Sequence, residues 1–172
     1  MVERNNMRFD ELARIASVVA IFAVVAYFAN QDLESALNQA KPWMNPVVSQ
    51  NEVAALGWVK ANTAERTIFA SDIFGGELLM SVLREGTEGG DWAIVPNVVQ
   101  RMHDMQYDFY EANSSEQAWR IALKYNAEYA WVPDRALFPG FAWKGVNYAI
   151  FDNSPYFEKV FDNGHRIYKV KK

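Results

Sequence analysis

The chain has 172 residues, of which 51% are hydrophobic and 15% are aromatic, and its formal net charge at pH 7 is -4. This length accommodates one folded domain and an extension, and the apolar content excludes a disordered chain. The acidic balance gives a nucleic-acid partner no electrostatic support. The absence of cysteine excludes disulfides, thiolate metal sites and cysteine nucleophiles.

An apolar segment, residues 12–28, dominates the N-terminal region. After Arg14 its only polar groups are the hydroxyls of Ser17 and Tyr27. As a helix it spans roughly 25 Å, slightly less than the roughly 30 Å hydrocarbon core of a bilayer, and Arg14 can extend its charge to the interface. We therefore predict a transmembrane helix, with the lipid bilayer as its partner.

The basic residues around this segment predict its orientation. Arg4, Arg8 and Arg14 precede or begin it, and only Lys41 lies near its far end. The positive-inside rule then places residues 1–11 in the cytoplasm and the rest of the chain outside the cell membrane. A cleaved signal peptide and a buried core helix are the alternatives, and the segment fits the sequence pattern of neither well.

The boundary between anchor and domain is marked by proline. The helix is predicted to continue to residue 40 and to end at Lys41, because a residue before proline is pushed out of the helical region. Residues 41–48 then form a linker, and 49–172 form an extracytoplasmic domain. A capping box at Ser49 opens the first helix of this domain, which is predicted to end near Ala61.

The rest of the domain alternates strand and helix patterns. Strands are predicted at 67–70, 91–95 and 129–132, helices begin near 77, 98 and 114, and residues 157–161 and 166–170 flank a hairpin turn. This order predicts an α/β fold with a small mixed β-sheet, flanked by helices and completed by a C-terminal β-hairpin.

The turn after the strand at 67–70 is the first place to look for a binding site. Asp72 lies where that strand ends, and Gly75 and Gly76 allow close approaches that a Cβ would block. Ligands in α/β folds bind outside the carboxyl ends of strands. We also predict that the Asp72 carboxylate caps the helix entered at Gly75 and Gly76. A purely structural turn is the alternative.

Further polar residues are candidates for the same site. With Asp72, Gly75 and Gly76, the predicted ligand-binding residues are Arg84, Asp91, Trp92 and His103. A metal site formed by Asp72, Asp91, His103 and Asp104 has no supporting spacing motif. A catalytic triad of Ser71, His103 and an aspartate lacks the G-x-S-x-G motif in which such a serine is usually found. We therefore predict no metal, no cofactor and no catalytic residue.

Three other features carry weaker predictions. His165, at the hairpin turn, is expected to be solvated. The aromatic loop 134–144, with Phe138, Phe141 and Trp143, either stacks on a sugar, lies on the membrane surface or packs against the sheet. Asn113 begins an N-x-S sequon, which predicts an N-glycosylation acceptor on the outer side.

Four stretches together resemble a known protein family. They are residues 49–64 (SQNEVAALGWVKANTA), 67–80 (TIFASDIFGGELLM), 89–93 (GGDWA) with the preceding Arg84, and 156–170 (YFEKVFDNGHRIYKV). They are similar to the soluble tail of archaeal oligosaccharyltransferase-like membrane glycosyltransferases of the GT-C class. The resemblance implies a last transmembrane helix that leads into a small extracytoplasmic α/β domain.

The resemblance also implies roles for residues. Asp72 and Gly75 match positions in a Trp-Trp-Asp-Tyr-Gly motif that reads an acceptor hydroxyl in oligosaccharyltransferases, although both tryptophans are absent here. The catalytic acidic loops of that class lie between transmembrane helices. The expected function is therefore that of an accessory or tail domain in protein glycosylation, not catalytic alone.

The expected partners, beyond the bilayer, are a polytopic membrane protein or further copies of this chain, and a glycan or lipid-linked sugar. Two alternatives stay open. One is a self-associating surface or filament subunit with a pilin-like helix-plus-globule plan. The other is a small hydrolase that uses Asp72 or Asp91.

Overall fold

The structure is a computed structural model that describes residues 3–44, 48–88, 96–138 and 145–172, with side chains from residue 11 onward except those of 41–44. The chain divides into two units, Met1–Asn45 and Pro46–Lys172. The predicted strand at 91–95 and the loop residues Phe141 and Trp143 lie outside the described residues.

The first unit is one helix, α1 (Glu3–Met44). Its segment Glu11–Ala40 is long and apolar enough to cross a membrane, and every side chain in it is exposed. A signal sequence near an N-terminus meets the same criteria. The predicted end at Lys41 is wrong, because α1 continues through Pro42. The fixed φ of proline is compatible with a helix, although one hydrogen bond is lost with the amide proton and the proline ring crowds the carbonyl four residues earlier.

The second unit is the predicted α/β fold, which the structure confirms. Its helices are α2 (Gln50–Asn62), α3 (Ile73–Met80), α4 (Val98–His103) with a following π-helix (Asp104–Tyr110), α5 (Ser115–Lys124) and a 3₁₀ turn (Tyr148–Ile150). Its strands are β1 (Ile68–Ala70), β2 (Glu85–Gly86), β3 (Tyr129–Val132), β4 (Phe157–Asp162) and β5 (Arg166–Val170).

The sheet is mixed, with the strand order β2-β1-β3-β5-β4. Strand β1 runs parallel to both β2 and β3, with Phe69 opposite Gly86 on one side and Tyr129 on the other. Strand β5 is antiparallel to β3 and to β4. The carboxyl ends of β1, β2 and β3 therefore meet at one edge of the sheet.

Each face of the sheet buries its own core, because successive strand residues point to opposite faces. Phe69 and Trp131 pack with α2 and α3 on one face, in a cluster with Ala55, Val59 and Leu79. The neighbouring residues Ala70, Ala130 and Val132 pack on the other face. Their partners there include Met105, Phe109, Tyr110, Ala118 and Ala122 from the π-helix and α5.

Several predicted elements are confirmed by local contacts. The Ser49 capping box is complete: the Ser49 hydroxyl accepts from the Glu52 amide, and the Glu52 carboxylate accepts from the Ser49 amide. Strand β3 has the predicted bounds, and the hairpin β4–β5 forms around Gly164, which has a φ of 103°.

Other elements differ from the prediction. Helix α3 begins at Ile73, so Gly75 and Gly76 lie inside it instead of at its entry. Residues 85–86, predicted as loop, form the short strand β2. The helix predicted from 98 changes at Asp104 into a π-helix, a rare geometry that no periodicity rule anticipates.

Candidate functional site

The candidate site lies at the shared carboxyl edge of β1 and β3. Asp72 follows β1 by two residues, and Arg135 follows β3 by three. Because the two strands are parallel neighbours, their ends bring these side chains together. Glu52, in the first turn of α2, completes the group.

The Arg135 guanidinium binds both carboxylates in two-point pairs. Its Nε and Nη2 donate to the two Glu52 oxygens at 2.8 and 2.9 Å. Its Nη1 and Nη2 donate to the two Asp72 oxygens at 2.7 and 3.1 Å. The Arg135 side chain is 9% exposed and both acids are fully buried, so solvent screens these pairs little. The planar fork of arginine suits such pairing, which lysine cannot reproduce.

The Asp72 carboxylate is fully committed to structure. Besides Arg135, Oδ1 accepts from the Gly75 amide at 3.0 Å, and Oδ2 accepts from the Phe138 amide at 3.2 Å. The first of these bonds confirms that Asp72 caps α3. Each oxygen thus has two donors, which leaves little acceptor capacity for a ligand.

Glu52 serves both the helix and the site. One oxygen accepts from the Trp131 indole at 3.1 Å, and the other accepts from the Ser49 amide at 2.9 Å. Burial raises the pKa of Glu52, although the charge and hydrogen bonds of Arg135 lower it and the Asp72 charge raises it further. Three buried charges with a net negative balance therefore hold α2, α3 and the segment after β3 together.

Gly75 is required for this packing. A Cβ added there would lie 2.5 Å from Trp131 Cδ1 and 2.8 Å from Asp72 Oδ1. The prediction that this glycine allows a close approach is therefore correct, and the surface it approaches is the Trp131 indole.

The neighbouring ends of β1 and β2 hold a second polar group. Thr87 Oγ1 donates to the Ser71 carbonyl and accepts from the Ser71 amide, both at 3.1 Å. Next to it, Glu88 is 2% exposed. Burial, and then the Asp72 charge, raise the pKa of Glu88 well above its usual range, and Arg101 opposes this. Among the described residues, the two Glu88 oxygens and the Ser71 hydroxyl have no hydrogen-bond partner.

Tyr110 and Arg101 approach this edge from the other side of the sheet. The Tyr110 hydroxyl donates to the Trp131 carbonyl at 2.8 Å, and burial raises its pKa well above its usual range. Arg101 Nη1 donates to the Thr87 carbonyl at 3.1 Å.

The structure does not bring all predicted site residues together. Arg84 lies at the other end of β1, where its guanidinium donates to the Lys60 and Thr63 carbonyls at the C-terminus of α2. His103 is exposed at the end of α4. Asp91 and Trp92 lie outside the described residues. Of the seven predicted residues, Asp72, Gly75 and Gly76 thus stand at the carboxyl edge.

His103 belongs to a separate group with Asp104 and Asp108, whose ligand atoms lie within 4.8 Å of one another. Asp104 already accepts from Gln100 at 2.7 Å, from the Tyr125 hydroxyl at 2.6 Å and from Lys124. These hydrogen bonds lower the pKa of Asp104 against the effect of burial. They also occupy its oxygens, so the group carries no metal assignment.

The prediction that His165 is solvated is wrong. Its side chain is fully buried, with the ring centroid 3.9 Å from that of Trp131. Burial lowers the pKa of His165 to about 3, so the imidazole is neutral at physiological pH. Within the aromatic loop, Phe138 packs on Phe74 of helix α3, with ring centroids 6.2 Å apart.

Sequence reasoning missed Glu52, Arg135 and Glu88 as members of the site. Glu52 was identified only as a helix cap, although its burial gives it a second role. Arg135 carried a usable signal, because it follows a strand and the carboxyl ends of parallel strands share an edge. Glu88 carried none, because β2 is too short to recognise.

Comparison with known proteins adds no assignment. No protein-family model matches the chain, and no curated protein matches it. The resemblance to GT-C glycosyltransferases therefore stays a prediction.

Proposed function

We propose that this chain is a membrane-anchored extracytoplasmic domain that serves as an accessory or tail domain of a GT-C type glycosyltransferase system. It positions a partner or a glycan and does not transfer sugar alone. The observation that carries the proposal is the exposed apolar segment Glu11–Ala40, which precedes a separate α/β unit.

The apolar helix supports the membrane part of this proposal. Within the segment Glu11–Ala40, residues 15–29 expose an apolar surface whose only polar groups are the hydroxyls of Ser17 and Tyr27, and such a surface is stable in lipid. The excess of arginine before the segment supports a cytoplasmic N-terminus. The folded domain then faces the side where lipid-linked sugars are used by the families that the sequence resembles.

The geometry of Asp72 weighs against the hydrolase alternative. A general base needs a free oxygen within reach of a water or substrate proton, and both Asp72 oxygens already have two donors. Asp91 lies outside the described residues. No observation favours the filament alternative over the proposal.

The orientation is testable because the chain lacks cysteine. A single cysteine at Glu116, which is exposed in α5, should react with a membrane-impermeant maleimide in intact cells. A cysteine at Glu11, exposed at the start of the apolar segment, should react only after lysis. The opposite labelling pattern would contradict an extracytoplasmic domain.

The partnership is testable by crosslinking in native membranes followed by purification of the tagged chain. We expect a polytopic membrane glycosyltransferase to be enriched with the wild-type chain and lost with a variant whose domain is deleted after Met44. Recovery of the chain alone would contradict the proposal, and recovery only with its own copies would contradict it and favour the filament alternative.

A further inference from the structure

The tip of the C-terminal hairpin buries a titratable side chain that has no partner. The tip, residues 163–165, connects β4 to β5. His165 is fully buried, and within the described part of the chain neither of its ring nitrogens has a hydrogen-bond partner. Buried polar groups are rarely left unpaired, and a positive charge on the same ring would cost far more than the neutral form does. Protonation of His165 therefore requires the ring to reach water.

The surroundings of the ring contain charges but no described group that bonds to it. The ring packs against Trp131, with ring centroids 3.9 Å apart. The charged groups that act on it lie on the segment after β3 and at the end of β4: Asp134, Arg135 and Asp162. On α2, the Glu52 carboxylate is already paired with Arg135, and on β5 the next residue, Arg166, is paired with Asp152.

Contacts at the surface hold the tip on the first turn of α2. The Asn163 side-chain nitrogen donates to the Asn51 carbonyl at 3.1 Å, and the Asn51 side chain donates to Asp134 at 2.6 Å. A Cβ added at Gly164 would lie 2.7 Å from Asn51 Nδ2, so the tip backbone rests directly on that side chain. Both hydrogen bonds are exposed to solvent. Regions held by exposed hydrogen bonds open at a lower free energy than the whole domain.

The tip also has hydrogen bonds of its own, which report on its opening. The Asn163 amide donates to the His165 carbonyl, and the His165 amide donates to the Asn163 side-chain oxygen, both at 3.1 Å. Gly164, with a φ of 103°, joins the two residues. Moving the His165 ring into water turns the backbone of this short segment, so its amides become available for hydrogen exchange.

We propose that the hairpin tip is an acid-operated latch, in which protonation of His165 releases residues 163–165 from α2 and uncovers Trp131. The closed latch requires a neutral imidazole. The open latch presents a solvated imidazolium and one face of an indole that neutral pH keeps buried. This switch is independent of the proposed function, since it follows from the packing of the tip alone.

The dependence on pH has a definite sign and size. Burial lowers the pKa of His165 to about 3, with Arg135 acting in the same direction and Asp134 and Asp162 opposing it. In the open state the ring recovers its ordinary pKa of about 6.5. The advantage of the closed state is therefore complete above pH 6.5 and is lost as the pH falls towards 3. Between pH 7.5 and pH 5 the opening constant should rise about 30-fold.

Hydrogen exchange of the purified full chain in detergent tests the latch. Mass spectrometry of peptides that contain the tip, and of peptides that contain β1, gives opening constants after division by the intrinsic exchange rate at each pH. We expect the tip to show the 30-fold rise. We also expect its opening constant at pH 5 to exceed that of β1 by at least about tenfold, because the tip opens without unfolding the sheet.

Three substitutions identify the group responsible. His165→Phe keeps a buried ring without a titrating proton, so the opening constant of its tip should change less than about threefold between the two pH values; His165→Leu, closer in volume to histidine, repeats this test. His103→Phe, at the exposed second histidine, is the matched control and should keep the wild-type rise. Asn163→Ala removes the bond to Asn51 and should increase opening by a similar factor at both pH values.

Three results would overturn the latch. The first is a wild-type tip whose opening constant changes less than about threefold between pH 7.5 and pH 5. The second is a full 30-fold rise in both His165→Phe and His165→Leu, which would assign the effect to another group. The third is an equal opening constant for the tip and for β1, which would mean that His165 meets water only when the whole domain unfolds.

Discussion

Replacing Arg135 with methionine tests the buried charge group most sharply. The change keeps a long apolar stem and removes five hydrogen bonds, four to the carboxylates of Glu52 and Asp72 and one to the Ala136 carbonyl. Both acids are fully buried, so neither recovers its solvation in the folded state. Breaking a buried ion pair in this way costs about 3–5 kcal/mol.

This cost is a large part of the stability of an ordinary domain, about 5–15 kcal/mol. For a domain of this size it corresponds to a fall in melting temperature of about 10–20 °C. Urea unfolding of the full chain in detergent, followed by tryptophan fluorescence, measures the change. Arg120→Met is the control, because Arg120 pairs with Glu116 on an exposed face and its loss should cost less than about 0.5 kcal/mol.

The loss should also depend on pH. Burial already raises the pKa of Glu52 in the presence of Arg135, and removing the cation raises it further. A raised folded-state pKa gives stability that is present at low pH and lost as pH rises. The free-energy difference between Arg135→Met and wild type should therefore be smaller at pH 5 than at pH 8. A difference below about 1 kcal/mol at pH 8 would refute the reasoning.

Five further substitutions have defined outcomes. Gly75→Ala should lower the free energy of unfolding by about 1–3 kcal/mol, because its Cβ would lie 2.5 Å from an indole carbon of Trp131. Gly57→Ala, whose Cβ would have nothing within 4 Å, should stabilise α2 by about 0.5–1 kcal/mol. Thermal unfolding compares the two variants. Asp72→Asn keeps the helix cap but weakens the ion pair, so it should lower the melting temperature, contrary to the harmless result expected of a cap alone. Burial lowers the pKa of His165 to about 3. The contribution of its neutral imidazole to stability should therefore be complete above pH 6.5 and fall by up to about 1.4 kcal/mol per pH unit below it. An acid titration of His165→Phe should lack this slope. Asn113 is exposed, so the native protein should carry a glycan mass that Asn113→Gln removes, and an unmodified mass in the wild type would refute this.

The sequence was most informative where local chemistry determines structure. The Ser49 cap, the Asp72 cap and the Asn163–Gly164 hairpin depend on residues close together in the chain, and all three form. The alternation of strand and helix patterns along the chain was sufficient to predict the α/β fold.

The same reasoning failed where distant contacts determine the outcome. His165 lies at a turn, where solvation is the ordinary state, but packing against Trp131 buries it. Arg135 joins the site only because β1 and β3 are neighbours, and the sequence patterns predicted a mixed sheet without a strand order. The π-helix that presents Tyr110 has no periodic signature distinct from that of an α-helix.

The role that we propose for this domain is to support sugar transfer from a lipid carrier. The most direct measurement is the rate at which membranes transfer labelled sugar from a polyprenyl-phosphate donor, with and without this chain. The account predicts at least about a tenfold fall when the chain is deleted, restored by the wild type but not by the anchor α1 alone. Equal transfer rates in the two membranes would contradict it.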